Sequence, residues 1–257
     1  MSALLVIARN VVREAIRRKL LYLIILFALS LLLLAEGVAR FETQVQAKMV
    51  KDFSYTIISL FGLVIVLLST FDQVPLEVES KTIYLVLCRP VARQTFLLGK
   101  FLGILGVLAI VMIVMGGMLL GMVGLTASKH LTFDTQVAQM LYLLTLKYAS
   151  FAGLLILLSI VCSRTLAISM SLLVYMYGHV SEFLHASFDT GSMTLLSRFL
   201  SVLDFFLPNY TVMDFPSGLV RAELFTTQSL AILTAYSLSF TALYLMLAAW
   251  LLAARDL

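Results

Sequence analysis

Six apolar runs, each close to the thickness of a bilayer core, restrict what this chain can fold into. They are Leu20–Ala39, Phe53–Pro75, Phe96–Leu125, Met140–Cys162, Leu166–His185 and Gln228–Ala253. About 20 mainly apolar residues suffice for a helix to cross the hydrocarbon. In lipid the backbone must satisfy its own hydrogen bonds, so such runs become helices. The third run is long enough to tilt or to project past the bilayer. Only Ser163, Arg164 and Thr165 separate the fourth from the fifth, which predicts a tight helical hairpin. Of the 257 residues, 61% are hydrophobic and 12% charged. Soluble domains have about 45–50% apolar and about 25% charged residues. The chain is therefore expected to be an all-α membrane protein of six spans, forming one transmembrane domain over residues 1–257.

Charge placement orients the spans, because Lys and Arg accumulate on the cytoplasmic side. One side receives Arg9, Arg13, Arg17, Arg18, Lys19, Lys81, Arg89, Arg93, Lys100, Arg164 and Arg255. The other receives Arg40, Lys48, Lys51, Lys129, Lys147, Arg198 and Arg221, together with Glu42, Asp52, Asp134, Asp189, Asp204, Asp214 and Glu223. The first set is larger and sits in short segments beside helix ends. Both termini and the 76–96 loop are thus expected in the cytoplasm of a cell bounded by this plasma (inner) membrane. The net charge of +4 is modest and gives no nucleic-acid signal. Cys88 and Cys162 are too few for a disulfide framework and fall on the cytoplasmic side, where thiols stay reduced. The apolar run from Leu20 to Ala35 lacks a small-x-small cleavage site, so it reads as a retained span rather than a signal peptide.

Three segments lie outside the spans. Residues 2–19 place Arg9, Arg13 and Arg17 on one helical face and Leu5, Ala8, Val12 and Ile16 on another. This pattern suits an interfacial helix, or simply a positive flank that fixes topology. Residues 186–227 carry Leu195, Leu196, Phe199, Leu200, Leu203 and Phe206 at helical spacing, then Pro208, Pro216 and Gly218, which break a helix. They read as an external amphipathic helix, a turn and a second short piece, lying on the outer leaflet or re-entering it. The 76–96 loop is a charged island between two spans. Glu77 and Glu79 stand where a helix dipole favours carboxylates. Thr82, Ile83, Leu85 and Leu87 give it a partly apolar body, and Pro90 ends it.

Within the spans, ionisable groups are expensive and should face protein or a cavity. Asp72 is expected to pair with a nearby cation, Glu36 to sit at the interface, and Lys147 to snorkel outward. His179, Glu182 and His185 share a helical face. They form either an interfacial hydrogen-bonded cluster or, in an alternative reading, the site of an intramembrane metalloenzyme. A non-transporting assembly scaffold is a third possibility. Gly99-x-x-x-Gly103 and Gly117-x-x-x-Gly121 permit close helix approach. Met112, Met115, Met118 and Met122 are expected to pack in the core. Gly99-Lys100 is followed by Phe101 and preceded at the required spacing by Gln94, so it is not a phosphate-binding loop. Any ATP would bind to another chain.

The island also resembles a known pattern. Glu77, Glu79, Thr82, Ile83, Leu87, Pro90, Val91, Arg93, Gly99 and Lys100 match the coupling loop of ABC-2-type transporter permeases: Glu-x-Glu-x-Gly-Thr-Leu, then Leu-x-x-Pro-Val-Ser-Arg, then Gly-Lys. Lys81 stands where the family usually has Gly. Small size and the absence of a large outer domain are similar to the permease of the nitrous oxide reductase copper-site maturation exporter. The resemblance implies a permease subunit of an ATP-driven exporter that is not itself an enzyme. It implies two permeases, as a homodimer or related heterodimer, and two ATPase subunits that carry ATP and Mg. The island, with Arg89 among its contacts, would be a coupling helix seated in the ATPase. The N-terminal helix would touch the ATPase too, and the external segment would form short re-entrant helices.

Overall fold

The computed structural model describes residues 3–16, 21–38, 43–73, 93–126, 135–188, 203–204, 206–214 and 225–254. Seven helices carry the chain through them: α1 (Ala3–Ala15), α2 (Leu21–Val38), α3 (Thr43–Gln73), α4 (Arg93–Thr126), α5 (Thr135–Val161), α6 (Arg164–Phe188) and α7 (Thr227–Ala254). A 3-10 turn, Thr211–Met213, precedes α7. Among the described residues four helices are long and apolar enough to cross a membrane, through Asp52–Phe71, Gln94–Gly121, Thr135–Val161 and Thr227–Ala253. The apolar part of α6, Thr165–Ser181, is shorter. The 34 residues of α4 span about 51 Å at 1.5 Å per residue, against roughly 30 Å of hydrocarbon, so this helix projects or tilts. α3 starts ten residues before the expected Phe53, adding the polar turns from Thr43 to Asp52. The α5–α6 hairpin is as tight as its spacing predicts. The amide of Cys162 still reaches the Leu158 carbonyl (2.8 Å), and the amide of Ala167 already reaches Ser163 (2.9 Å).

α5 is the centre of the bundle. Its span is 78% buried, whereas that of α7 is 22% buried. α5 packs along α7 and touches α3, α4 and α6. The outer surface is rich in apolar side chains, among them Ile113, Phe183, Met246 and Trp250. A water-soluble monomer rarely exposes so many large apolar side chains, and lipid solvates them without cost. Met112 and Met115 lie in the core as expected, with Met118 packed against it.

The N-terminal helix lies against the first turns of α4. A Cβ on Gly103 would stand 2.5 Å from Val11 Cβ, and one on Gly99 3.0 Å from Ile7 Cβ. The glycine pair thus forms the groove that receives Ile7 and Val11. This corrects part of the expected apolar face of α1: Leu5 and Ile16 point outward, whereas Val12 packs in as expected, together with Ile7 and Val11. The groove chooses the stripe, and periodicity alone found Val12 but not its neighbours Ile7 and Val11. Gly117 and Gly121 have open space where a side chain would be. Gly103→Val is therefore expected to destabilise the α1–α4 contact by about 1–3 kcal/mol, as overpacked cores do. Tryptic cleavage at Arg9 and Arg13, both exposed on α1, should accelerate in this variant and change less in Gly99→Ala.

Candidate functional site

The bundle has two polar ends. At the first, α1 meets the last turn of α3 and the first turns of α4. Gln73 Nε2 donates to Glu14 Oε2 (3.0 Å), and Lys100 Nζ donates to Gln73 Oε1 (2.8 Å). Lys100 is buried, with its ammonium over the Phe96 ring. One side-chain amide thus ties three helices together through both its oxygen and its nitrogen. The charged island leaves this end after Gln73 and returns at Arg93. Glu77, Glu79, Thr82, Ile83, Leu87, Arg89 and Pro90 lie outside the described residues, as does Arg17. Arg93 opens α4, and its side chain is outside the described set. The side chains of Glu36 and Asp72 also fall outside it.

The opposite end holds a buried charge cluster. Lys147 is 0% exposed on α5, where the sequence suggested a snorkelling side chain. Snorkelling needs a route to an interface, and α5 has none because neighbouring helices enclose it. The ammonium instead pairs with Asp214 Oδ1 on the segment after the 3-10 turn. Asp214 Oδ1 also accepts from the Tyr55 hydroxyl of α3 (2.9 Å), and Oδ2 lies 3.1 Å from His179 Nε2 of α6. His179 Nδ1 is 2.8 Å from the Tyr175 carbonyl. A carbonyl only accepts, so Nδ1 carries a proton. Nε2 also lies 2.8 Å from Lys147 Nζ. It accepts from the ammonium when the ring is neutral and donates to Asp214 when protonated. Burial pushes the Asp214 carboxyl up, but the hydrogen bond to His179 and then the charge and hydrogen bond of Lys147 outweigh it and hold it below the usual carboxylate range.

Aromatic rings wall this cluster. Lys147 Nζ lies 5.3 Å from the centroid of Tyr175 and 5.9 Å from that of Tyr148. The Tyr148 hydroxyl donates to the Ser59 carbonyl and is 3.0 Å from the Ser59 hydroxyl. Tyr210 is fully buried, its ring 5.3 Å from Tyr175 and 5.9 Å from His179. It sits over Gly178, where an added Cβ would stand 2.6 Å from Tyr210 Cδ2. Gly178 lies about 15 Å along α6 from Phe188 at 1.5 Å per residue, so the 206–214 segment reaches well down between the helices.

An irregular segment at that depth must find partners for its backbone. The amide of Tyr210 donates to the Gly178 carbonyl (3.0 Å), and that of Asn209 to the Tyr236 hydroxyl (2.8 Å). The amide of Thr211 donates to Asn209 Oδ1 (3.0 Å), and those of Met213 and Asp214 to Tyr210 and Thr211 (3.1 Å each). The helix read up to Phe206 ends as expected before Pro208, after the amide of Leu207 reaches Leu203 (2.8 Å). Residues 195–202 lie outside the described set.

His179 thus joins Lys147 and Asp214. The side chains of Glu182 and His185 are outside the described residues. Among the described residues no three His, Cys, Asp or Glu come together to hold a metal ion. Sequence reasoning missed the Lys147–Asp214 pair. The available signal was one lysine deep in a long apolar run, but its partner lies 67 residues away.

An apolar outer surface, a largely apolar core and several long helices able to span a bilayer define a multi-pass helical membrane protein with a buried charge cluster inside its bundle. Residues 5–257 match the family model described as ABC-2 family transporter protein, and the chain belongs to that family. It is a transporter permease, the membrane domain of an ABC-2 family transporter. The match carries the ABC-2 assignment and not the narrower likeness to the nitrous oxide reductase maturation permease. A comparison with curated proteins finds no match.

Proposed function

We propose that this chain is the permease subunit of an ATP-driven exporter, with the substrate pathway in its bundle and all ATP hydrolysis on a separate ATPase chain that holds ATP and Mg. The observation that carries the reading is the family match over residues 5–257. The structure supports it with the positions of Gln73 and Lys100, on the helices that flank residues 74–92, beside Glu14 of α1. In this reading α2 and α6 complete a set of six spans in one transmembrane domain. The end bearing α1 and residues 76–96 faces the cytoplasm with both termini, and the 206–214 segment caps the opposite, external end. The membrane is the plasma (inner) membrane.

Closure of the ATPase pair would push the 76–96 coupling loop. Gln73 and Lys100, which flank that loop and tie it to Glu14, would pass the push to α3, α4 and α1 as a rigid-body shift. Glu77, Glu79, Thr82, Ile83, Leu87, Arg89, Pro90 and Arg93 would form the ATPase contact, joined by Arg9, Arg13 and Arg17 of the N-terminal helix. A second permease, this chain or a relative, would pack on the apolar outer surface, where α7 is largely uncovered. Reconstitution tests the reading. The purified chain should hydrolyse no ATP, and adding the cognate ATPase should give a stable complex that hydrolyses ATP. ATP turnover by the chain alone, or failure of any ABC ATPase to bind it, would overturn the proposal.

A further inference from the structure

We propose that Asp214 is the bolt of a latch: its carboxylate, received by donors from α3, α5 and α6, locks the 206–214 segment down, and the cap lifts only when that carboxylate is released. The inference rests on the cap assignment made above and goes beyond it by naming the fastening. Tyr55, Lys147 and His179 come from three different helices and converge on one carboxylate. Any movement of these helices against one another must therefore pull on Asp214. A single peptide segment is fixed to all three at the point where the bundle would have to open.

The arrangement also contains what a reversible latch needs and a static staple does not. A fully buried ammonium cannot be left without an acceptor. When Asp214 withdraws, Lys147 keeps one, because His179 Nε2 already lies 2.8 Å away. The imidazole ring is held for that role by the Nδ1 contact to the Tyr175 carbonyl on its own helix, which does not depend on the cap. His179 therefore acts as a positioning residue with two partners: it contacts Asp214 in the latched state and retains Lys147 in the released one. Tyr210 belongs to the segment itself, and its ring against His179 and its amide on Gly178 add to the hold of the latched state.

The test is thiol labelling of a cysteine placed in the cap. Met213 is 1% exposed, so Met213→Cys, in a chain carrying Cys88→Ser and Cys162→Ser, reports opening to a water-soluble maleimide in detergent micelles. Labelling should be slow with the latch intact and at least tenfold faster in Asp214→Asn. Tyr55→Phe, which removes one donor and keeps the ring, should give an intermediate rate. The exchanged pair Lys147→Asp with Asp214→Lys should return labelling toward the slow rate, which a merely unfolded variant would not do. An unchanged rate in Asp214→Asn, or equally fast labelling in the exchanged pair, overturns the latch. No ATPase is needed for these measurements, so their failure is separable from failure of the permease to bind its ATPase.

Discussion

Asp214→Ala should destabilise the folded chain by about 3–5 kcal/mol, the range seen when one partner of a buried ion pair is removed. The reason is the asymmetry of the pair. Asp214 keeps some exposure, but Lys147 has none, so the substitution leaves a buried ammonium with no counter-charge and only the neutral His179 Nε2 as acceptor. By the scaling of soluble domains, a loss of that size lowers the melting temperature by on the order of 10 °C. Thermal unfolding in detergent measures it. Replacing both ends, Lys147→Met with Asp214→Ala, should recover most of the loss, because no charge is then buried alone. Equal destabilisation in the single and double variants would contradict this account of the cluster. The pH dependence has a definite sign. The folded carboxyl titrates below its ordinary value of 3.8, so the folded state binds fewer protons there than the unfolded chain. The contribution is complete above the ordinary value and is lost as pH falls through the lower, folded value.

Reversing charge at the other end should uncouple the protein without unfolding it. Glu77→Lys with Glu79→Lys alters the island and leaves the described bundle intact, including the Glu14–Gln73–Lys100 chain of hydrogen bonds. The variant should reach the membrane and melt near the wild-type temperature. Its affinity for the ATPase should fall at least tenfold, equivalent to about 1.4 kcal/mol of binding free energy. Titration of the ATPase onto the immobilised chain reads this directly. Wild-type affinity in a stable variant would remove these two carboxylates from the contact. The Asp214 and Glu77/Glu79 variants separate the two ends of the molecule, because the first strikes stability and the second strikes association.

The apolar runs made most of the helices legible, since a membrane-length run has few folded alternatives. The α5–α6 hairpin was legible because three residues cannot form a long loop. The phase of α1 was less so: of Leu5, Ala8, Val12 and Ile16, Val12 packs in while Leu5 and Ile16 face out, and the groove over Gly99 and Gly103 adds Ile7 and Val11. Lys147 shows the same limit more sharply. Its sequence context predicted cost, but the resolution of that cost depends on which helix lies at the centre of the bundle. A lysine on the poorly buried α7 could reach outward, whereas one on α5 must find an internal acid. Asp214 was read as one of several external acidic residues, and nothing local in Thr211-Val-Met-Asp marks it as that partner. The charged island was conspicuous in sequence because it interrupts two spans, which is a purely local contrast.

The most direct measurement of the central claim is site-specific photo-crosslinking from the island in intact membranes. A photoreactive residue at Ile83, in the apolar body of the proposed coupling helix, should capture a nucleotide-binding ABC ATPase. The same probe at Trp250, exposed on α7, should not capture it. If position 83 yields no ATPase adduct while the chain is intact and inserted, or if the ATPase is captured from position 250 instead, residues 76–96 are not where this permease receives its energy.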